Sequence, residues 1–187
     1  MGQVQTKILN FWHIKKRQHI KILVLGLDNS GKTTLARKFR LKLDSPPSPT
    51  VGFNTENFEL GDFDITLVEV GGAENIRKVW PCYFQDISTL FWVVDATDPY
   101  RFEESRVELK NVLNSRSFPS HAKVFILANK LDSPDAASLQ EIRSSFRLDE
   151  LLVLHTSDVL LFPVIARSGN GVAQVFSAAV ADFEQIE

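Results

Sequence analysis

The sequence predicts an α/β protein built on a wound, open sheet, and two patterns lead to that prediction. Along the 187 residues, short apolar runs rich in β-branched and aromatic residues alternate with helix-like runs, which is the order of elements in a wound α/β sheet. Several of the apolar runs end in polar residues. Because ligands of open α/β sheets bind at the carboxyl ends of the strands, we expect one domain with a binding site at that edge.

The first half of the chain predicts a strand, a helix and a hairpin. Ile20–Leu25 is typical of a buried strand, and Thr34–Phe39 of the start of a helix. The runs Phe53–Leu60 and Phe63–Val70 flank Gly61-Asp62. This arrangement predicts a β-hairpin with a turn of two or more residues.

The second half alternates strands with helices. Thr89–Asp95 and Lys123–Asn129 predict buried strands, and Leu160–Ala166 predicts a weaker sixth strand. Pro163 lies in that last run, and proline cannot donate to a sheet ladder, so we expect this strand at an edge or near its end. Helices are predicted at about 101–113, 135–146 and 171–186, the last with apolar residues at helical spacing on one face.

Composition excludes several functional classes. The net charge is −2, so the overall charge does not indicate nucleic-acid binding. Cys82 is the single cysteine, which excludes an internal disulfide and suits a reducing cytoplasm. The sequence has no apolar run of the roughly 18 residues that span a membrane and no cleavable signal pattern.

The most informative motif is the loop GLDNSGKT at Gly26–Thr33. It matches the P-loop pattern G-x-x-x-x-G-K-[ST] and lies between a predicted strand and a predicted helix, as that pattern requires. Backbone N–H groups of such a loop bind phosphate oxygens, its lysine reaches the β- and γ-phosphates, and its final hydroxyl binds Mg²⁺. The alternative is a chance glycine-rich turn. We expect a nucleoside triphosphate with Mg²⁺ to be bound by Asp28, Asn29, Ser30, Gly31, Lys32, Thr33 and Thr34.

A second motif predicts which base is bound. Asn129-Lys130-Leu131-Asp132 follows the fifth predicted strand. Asp132 can accept two hydrogen bonds from guanine, whereas adenine offers no such donor pair and would leave the carboxylate unpaired. Lys130 would lay its stem along the base and ribose. Ala166-Arg167, after the sixth strand, would supply a backbone N–H to the guanine oxygen. Each of these segments also occurs as an ordinary turn.

Two further turns are predicted to contact the γ-phosphate end of the nucleotide. Thr50 lies between the first helix and the second strand, where it can bind Mg²⁺ and the γ-phosphate, so that its loop orders with triphosphate. Glu69 ends the third strand, and its carboxylate would hold a Mg²⁺-bound water. Gly72 would offer its N–H to the γ-phosphate. The alternative for each is a plain proline or glycine turn.

Together these residues resemble the Arf and Arf-like small GTPases. The matching blocks, in the family's order and spacing from about Gln18 onward, are GLDNSGKTT, PTVGFN, EVGGAENIRKVW with the following YF, VVDATD, NKLD and ARSGNG. The resemblance implies a Ras-like P-loop GTPase domain at residues 18–187 with a six-stranded, mostly parallel sheet and five helices. It implies GTP or GDP with Mg²⁺, and a hairpin whose register shifts on exchange. The implied partners of this monomer are effectors, an exchange factor and an activating protein.

The chain departs from the family pattern in the third strand and beyond. Val68-Glu69 stands where the family has Trp-Asp, so the carboxylate near Mg²⁺ carries one more methylene. The effector surface that the resemblance implies, Phe53, Val68 and Tyr83, loses an aromatic group at Val68. Leu148–Leu160 is less regular than in the family, which leaves the register of the sixth strand open.

Ala73 is the departure with the largest consequence, because the family has a water-orienting glutamine there. Phosphoryl transfer in this class depends on positioning and electrostatics. An alanine methyl cannot hold a water, so we expect slow intrinsic hydrolysis and assign no catalytic residue. Glu74 is a poor substitute because its charge would face a phosphate. The alternative is that an activating protein supplies the chemistry.

Residues 1–17 are predicted to form an amphipathic arm. MGQVQT at the N-terminus fits the N-myristoylation pattern, with Gly2 as the acceptor. Apolar residues at helical spacing and the basic Lys15–Arg17 follow. One myristoyl chain binds membranes only marginally, and such a face would be the second signal. The alternative is an arm that is solvated or packed on the domain. The resemblance implies packing with GDP and release to a membrane with GTP.

Three functional hypotheses follow. The first is a GTP-binding switch, cytoplasmic and reversibly membrane-associated, that binds effectors when loaded with GTP and hydrolyses it weakly. The second is a hydrolysis-deficient scaffold or a regulator of another small GTPase. A kinase or ATPase would keep the P-loop but leaves Asn129–Asp132 unexplained.

Overall fold

Six strands form one sheet in the computed structural model, which describes residues 17–39, 52–154 and 158–181. The spatial order of the strands is β2-β3-β1-β4-β5-β6. Within the described part, β2 pairs antiparallel with β3, and the other four neighbouring pairs are parallel. The prediction of a six-stranded, mostly parallel sheet is therefore confirmed. The strands are β1 Gln18–Leu25, β2 Phe53–Leu60, β3 Phe63–Val70, β4 Thr89–Asp95, β5 Lys123–Asn129 and β6 Val159–Pro163.

Six α-helices lie in the described residues, and two single 3-10 turns occur at Trp80–Tyr83 and Pro99–Arg101. The helix count is one more than the resemblance implied, and α5 lies in the segment whose regularity the sequence left open. None of the described helices is long and apolar enough to cross a membrane. The helices are α1 Lys32–Phe39, α2 Glu74–Arg77, α3 Phe102–Leu113, α4 Leu139–Ser145, α5 Leu148–Leu154 and α6 Val172–Val180.

Local chemistry explains where two elements differ from their predicted bounds. Helix α4 begins at Leu139 rather than near Asp135, because Ser138 caps it: the Ser138 hydroxyl accepts from Glu141 N, and Glu141 accepts from Ser138 N. Strand β6 ends at Pro163 and forms the sheet edge beyond β5. This confirms the effect expected of a proline that cannot donate to the ladder.

The core lies in two layers, one on each face of the sheet. One layer packs residues on one face of the central strands, such as Trp92 and Ile126, against α3 and α4. The other packs Phe91 and Phe125 against α1 and α6, where Phe176 lies. Because both faces are covered, β1, β4 and β5 are nearly continuous apolar runs.

The register brings the polar ends of three strands to one edge of the sheet. Val24 at the end of β1 pairs with Glu69 near the end of β3. Asp95 at the end of β4 pairs with Asn129 at the end of β5. The P-loop follows β1 at this same edge, so the sheet itself assembles the predicted motifs.

Candidate nucleotide-binding site

The loop between β1 and α1 is pressed against the end of β5. Gly31 has φ +96°, a left-handed conformation that side chains rarely adopt. A Cβ at this position would lie 2.2 Å from the side-chain nitrogen of Asn129. Asn29 is also left-handed, with φ 61°, and asparagine tolerates that region better than most residues. The loop therefore has the tight turn that a phosphate cradle needs.

Lys32 lies beneath this loop and is buried. Its ammonium donates to the carbonyl oxygens of Gly26, at 3.0 Å, and Leu27, at 2.7 Å. Burial lowers the pKa of Lys32 to about 8, and the negative charges of Glu69 and Asp28 partly oppose that change. The ammonium is thus held in the loop at the cost of desolvation, which an anionic ligand would offset.

Thr33 and Glu69 meet directly. The Thr33 hydroxyl donates to Glu69 Oε1, and Glu69 is 1% exposed. A hydroxyl that donates its proton keeps its lone pairs for a cation, and hydroxyl and carboxylate oxygens suit Mg²⁺. The described residues contain no group of three or more His, Cys, Asp or Glu side chains that could hold a metal alone. A Mg²⁺ ion bound by Thr33 and Glu69 would complete its coordination with phosphate and water oxygens.

The segment after β3 packs on the P-loop. A Cβ at Gly72 would lie 2.3 Å from Gly26 O and 2.5 Å from Asp28 N, so only glycine fits. The Trp80 indole donates to Gly71 O at 3.0 Å, and Gly71 N donates to Gly52 O at 2.9 Å. The backbone of this segment is therefore held close to the phosphate loop.

A charge network that sequence reasoning missed ties this segment to α3. Arg77 donates to Gly72 O through Nε at 2.9 Å. It also forms ion pairs with Glu104 at 2.7 Å and Glu108 at 3.2 Å on α3. Its side chain is 9% exposed. No local sequence pattern signals these pairs, because their members lie far apart in the chain.

Asp28 belongs to the same network. Its carboxylate pairs with Arg101 at 2.7 Å, and the hydrogen bond from that guanidinium holds the pKa of Asp28 below its usual value. Arg101 also pairs with Glu104 at 3.0 Å. The Asp28 side chain thus pairs with a cation beside α3, and its backbone remains the part suited to phosphate.

Asn129 bridges the two loops on the opposite side of the site. It is 2% exposed, its Nδ2 donates to Ser30 O at 2.8 Å, and its Oδ1 accepts from Ala166 N at 2.9 Å. The predicted base-side loop is thereby joined to the P-loop. The Ala166 N–H, expected to contact guanine, is engaged by Asn129, so a contact with the base requires that N–H to be shared.

Lys130 and Asp132 lie on the turn after β5. Lys130 has φ 66°, and its ammonium pairs with Asp95 Oδ2 at 2.5 Å. Asp95, which the sequence analysis did not single out, also accepts from the Thr97 N–H at 3.0 Å and hydroxyl at 2.6 Å. Asp132 is exposed. The turn therefore presents one paired cation and one accessible carboxylate.

The expected effector surface is only partly at the surface. Phe53 is 57% exposed and its ring centroid lies 5.2 Å from that of the partly exposed Tyr83. Val68, in contrast, is 4% exposed and packs in the core, so this arrangement does not present it at that surface. The reason is that β3 lies between two strands and is covered at this end on both faces. Thr50, Gly2 and the rest of the arm up to residue 16 lie outside the described residues.

The strand, the P-loop with its buried lysine, and the Asn129 bridge define a Ras-like P-loop GTPase domain. The structure of the Trypanosoma brucei small GTPase Arl6 (BBS3) with the bound nucleotide analogue GppNp is similar, with a TM-score of 0.80 and 28% identity over 91% of this chain and 100% of that one. The family model described as "ADP-ribosylation factor family" matches residues 5–182. The chain belongs to this family, as an Arf-like small GTPase.

Two curated relatives agree with this assignment. The chain is 39% identical over 167 residues to ADP-ribosylation factor-like protein 13B of Chlamydomonas reinhardtii, covering 88% of this chain but 31% of that protein. It is 36% identical over 168 residues to ADP-ribosylation factor-like protein 2 of Drosophila melanogaster, covering 90% of this chain and 89% of the relative. The chain therefore spans about a third of the first relative and most of the second.

Proposed function

We propose that this chain is a GTP- and GDP-binding switch whose GTP form is bound by effector proteins at a membrane surface. The observation that carries the proposal is the Asn129 bridge between Ser30 of the P-loop and Ala166 of the base-side loop. It joins the P-loop to the loop after β6 through the first residue of the turn that would select guanine. Such a bridge favours a ligand whose phosphates bind one loop and whose base binds the other.

The phosphates would be bound by the P-loop and its lysine. An anionic phosphate offers Lys32 stronger hydrogen bonds than the carbonyls of Gly26 and Leu27 that it contacts. Thr33, Glu69 and, in the triphosphate state, Thr50 would hold Mg²⁺. When bound, that ion neutralises charge on the β- and γ-phosphates. Gly72, pressed against Gly26, would direct its N–H toward the γ-phosphate.

The guanine would be selected by Asp132. Its exposed carboxylate can accept from the two donors of guanine, and Lys130 lies beside it with its ammonium on Asp95. Ala166 would share its N–H between Asn129 and the guanine oxygen, with Arg167 as the neighbouring donor. A purine without the donor pair would leave the carboxylate without these hydrogen bonds.

Hydrolysis would be slow because the residue beside the γ-phosphate contact lacks a polar group. Ala73 is exposed, and its carbonyl accepts from Ile76 N at 2.8 Å, which starts α2. Glu74 is exposed, but its negative charge opposes a phosphate. GTP would then persist until an activating protein acts.

Membrane recruitment and effector binding would use two different regions. Gly2 and the arm at residues 1–17 would anchor the protein through myristate and an amphipathic face. The exposed Phe53 ring and its neighbour Tyr83 would contact effectors, since exposed aromatic residues are enriched in interfaces.

A hydrolysis-deficient scaffold, or a regulator of another small GTPase, is the second candidate. Ala73 favours it, because a switch that cannot reset itself spends most of its time in one nucleotide state. The Arg77 ion pairs with Glu104 and Glu108 also favour it, since they tie the segment after β3 to α3 through the protein's own side chains.

Measurement of the bound nucleotide and its single-turnover hydrolysis separates the two candidates. We expect purified protein to carry guanine nucleotide and to turn over GTP at or below roughly 3–5 × 10⁻⁴ s⁻¹. Ala73→Gln should raise this rate, most clearly with an activating protein, whereas Glu74→Ala should leave it unchanged. Adenine nucleotide in the purified protein would contradict the proposal. Turnover within seconds would contradict slow hydrolysis.

Fractionation of cells tests the membrane anchor. We expect Gly2→Ala to shift the protein from the membrane to the soluble fraction, because the acceptor amine of glycine is required for myristoylation. Gln3→Ala, which keeps the acceptor, should retain the membrane fraction. An unchanged distribution of Gly2→Ala would show that the arm or a partner anchors the protein without lipid.

A further inference from the structure

We infer that Glu69 binds the nucleotide's Mg²⁺ directly, in a position that a water would otherwise occupy. This inference rests on the proposed function, because it requires a guanine nucleotide with Mg²⁺ in the site. It differs from the through-water role expected from the sequence. The reach of this side chain, its contact with Thr33 and its burial support it.

The backbone of Glu69 cannot retreat to accommodate a longer side chain. Glu69 pairs with Val24 of β1 on one side and with Asn54 of β2 on the other. It is two residues upstream of Gly71, whose carbonyl receives the Trp80 indole. Relative to an aspartate at this position, the carboxylate therefore extends about 1.5 Å further, by one carbon–carbon bond.

The carboxylate meets the hydroxyl that would bind the metal. The Thr33 hydroxyl donates directly to Glu69 Oε1, so no water lies between these two oxygens. Mg²⁺ holds oxygen ligands at about 2.0–2.1 Å in an octahedron, which puts neighbouring ligands about 2.9 Å apart. A Mg²⁺ on Thr33 would thus have the carboxylate within one ligand spacing. One carboxylate oxygen can keep the Thr33 hydrogen bond while the other binds the ion.

Burial favours direct contact between the carboxylate and a cation. Glu69 is 1% exposed, and a carboxylate removed from water is stabilised most by a cation or strong donors at contact distance. The buried Lys32 ammonium, whose charge interacts with Glu69, donates its hydrogen bonds to the carbonyls of Gly26 and Leu27. A divalent ion bound directly would compensate the buried charge more than one separated by a water.

Counting metal-bound waters tests the inference. Mn²⁺ replaces Mg²⁺ in the GDP complex, and electron paramagnetic resonance in ¹⁷O-enriched water counts coordinated water molecules. With Thr33, one β-phosphate oxygen and Glu69 as ligands, an octahedral ion keeps about three waters, whereas a through-water Glu69 leaves about four. We expect three in the unmodified protein and four in Glu69→Asp. Glu150→Asp, an exposed position on α5, should keep three.

The Mg²⁺ affinity of the GDP complex is a second readout. We expect Glu69→Asp to weaken it at least tenfold, as the loss of a direct ligand would. Four waters in the unmodified protein would overturn the inference whether or not the variant folds, and would leave the proposed function intact. Failure of the unmodified protein to bind GDP with either metal would overturn the proposed function and this inference together.

Discussion

The base end and the phosphate end of the site share one sheet edge but differ in how their polar groups are satisfied. At the base end, both polar atoms of Asn129 are hydrogen-bonded within the protein, and Lys130 is paired with Asp95. At the phosphate end, Lys32 is buried with a lowered pKa, and its ammonium donates to two backbone carbonyls. At the base end the amide and the ammonium are paired within the protein and the exposed Asp132 carboxylate is left to receive the base, whereas the phosphate end has a desolvated charge that a ligand would balance.

This difference separates selectivity from affinity. A preformed base end should choose guanine with little rearrangement, because its hydrogen bonds cost no reorganisation. The phosphate end should supply most of the binding energy and make it sensitive to charge, metal and pH. Four changes test this division, and each is expected to have a smaller effect than the one before it.

The largest effect is expected for base choice in Asp132→Ala. Loss of two hydrogen bonds to a charged acceptor, about 1.5–3 kcal/mol each, should reduce the preference for GDP over ADP by roughly 10²–10⁴-fold. Competition binding with both nucleotides measures it. Asp135→Ala, an exposed aspartate on the same turn, should keep the preference. Equal affinity for GDP and ADP in the unmodified protein would show that the base end does not select guanine.

Asn129→Ala should destabilise the empty protein. It leaves Ser30 O and Ala166 N buried without their partner, at about 1–3 kcal/mol each. We therefore expect a loss of about 2–6 kcal/mol in the free energy of unfolding. Denaturant titration without nucleotide measures it. Asn114→Ala, at an exposed position after α3, should change stability little. A neutral Asn129→Ala would mean that the base end is not preformed.

Lys32 should take up a proton when GDP binds at alkaline pH. With its pKa at about 8 in the empty protein and higher beside phosphates, we expect uptake of about 0.8 proton at pH 8.5 and about 0.1 at pH 7. GDP affinity should therefore fall about tenfold between pH 7 and pH 9. Calorimetry in buffers of different ionisation enthalpy measures the uptake, and Lys78→Met, at an exposed position, should not alter it.

The titration of Lys32 affects the stability of the empty protein in the opposite direction from GDP affinity. The unfolded chain holds the Lys32 proton up to its ordinary value of 10.5, whereas the folded, empty protein releases it near pH 8. The unfolded state thus binds more protons in this window, and this group makes the empty protein more stable as pH rises through it. No proton uptake at pH 8.5 would contradict a desolvated lysine at the phosphate end.

The smallest effect is expected from backbone strain at Asn29. Its φ of 61° costs about 1 kcal/mol more for alanine than for glycine, so Asn29→Ala should weaken GDP binding or lower stability by about fivefold relative to Asn29→Gly. Equilibrium binding and denaturant titration of the two variants measure it. Equal behaviour of the two variants would show that the loop relaxes when it is empty.

The sequence predicted those parts of the fold and site that depend on neighbours in the chain. The bounds of β2 to β5 agree with prediction, because unbroken apolar or alternating runs end there at turn residues. The P-loop is a strand, a loop and a helix in succession, so its pattern is local. The start of α4 was misplaced because the cap at Ser138 outweighed a plausible helix run from Asp135.

Contacts between distant segments could not be predicted in this way. The Arg77 pairs with α3, and the Arg101 pair with Asp28, depend on how α2, α3 and the P-loop are placed in space. Val68 was assigned to a surface by analogy, and the burial of β3 on both faces encloses its side chain in this arrangement. Thr50 and Gly2 remain predictions.

The close approach of Gly31 to Asn129 has a consequence for how such sequences diversify. A methyl group at position 31 would overlap the Asn129 amide, and that amide cannot turn away without losing Ser30 O. A lineage that gains a side chain at position 31 must therefore first lose the amide at position 129, and the intermediate carries the cost of the broken bridge. Loss of the amide at position 129 should therefore precede a side chain at position 31 in any lineage that carries both changes.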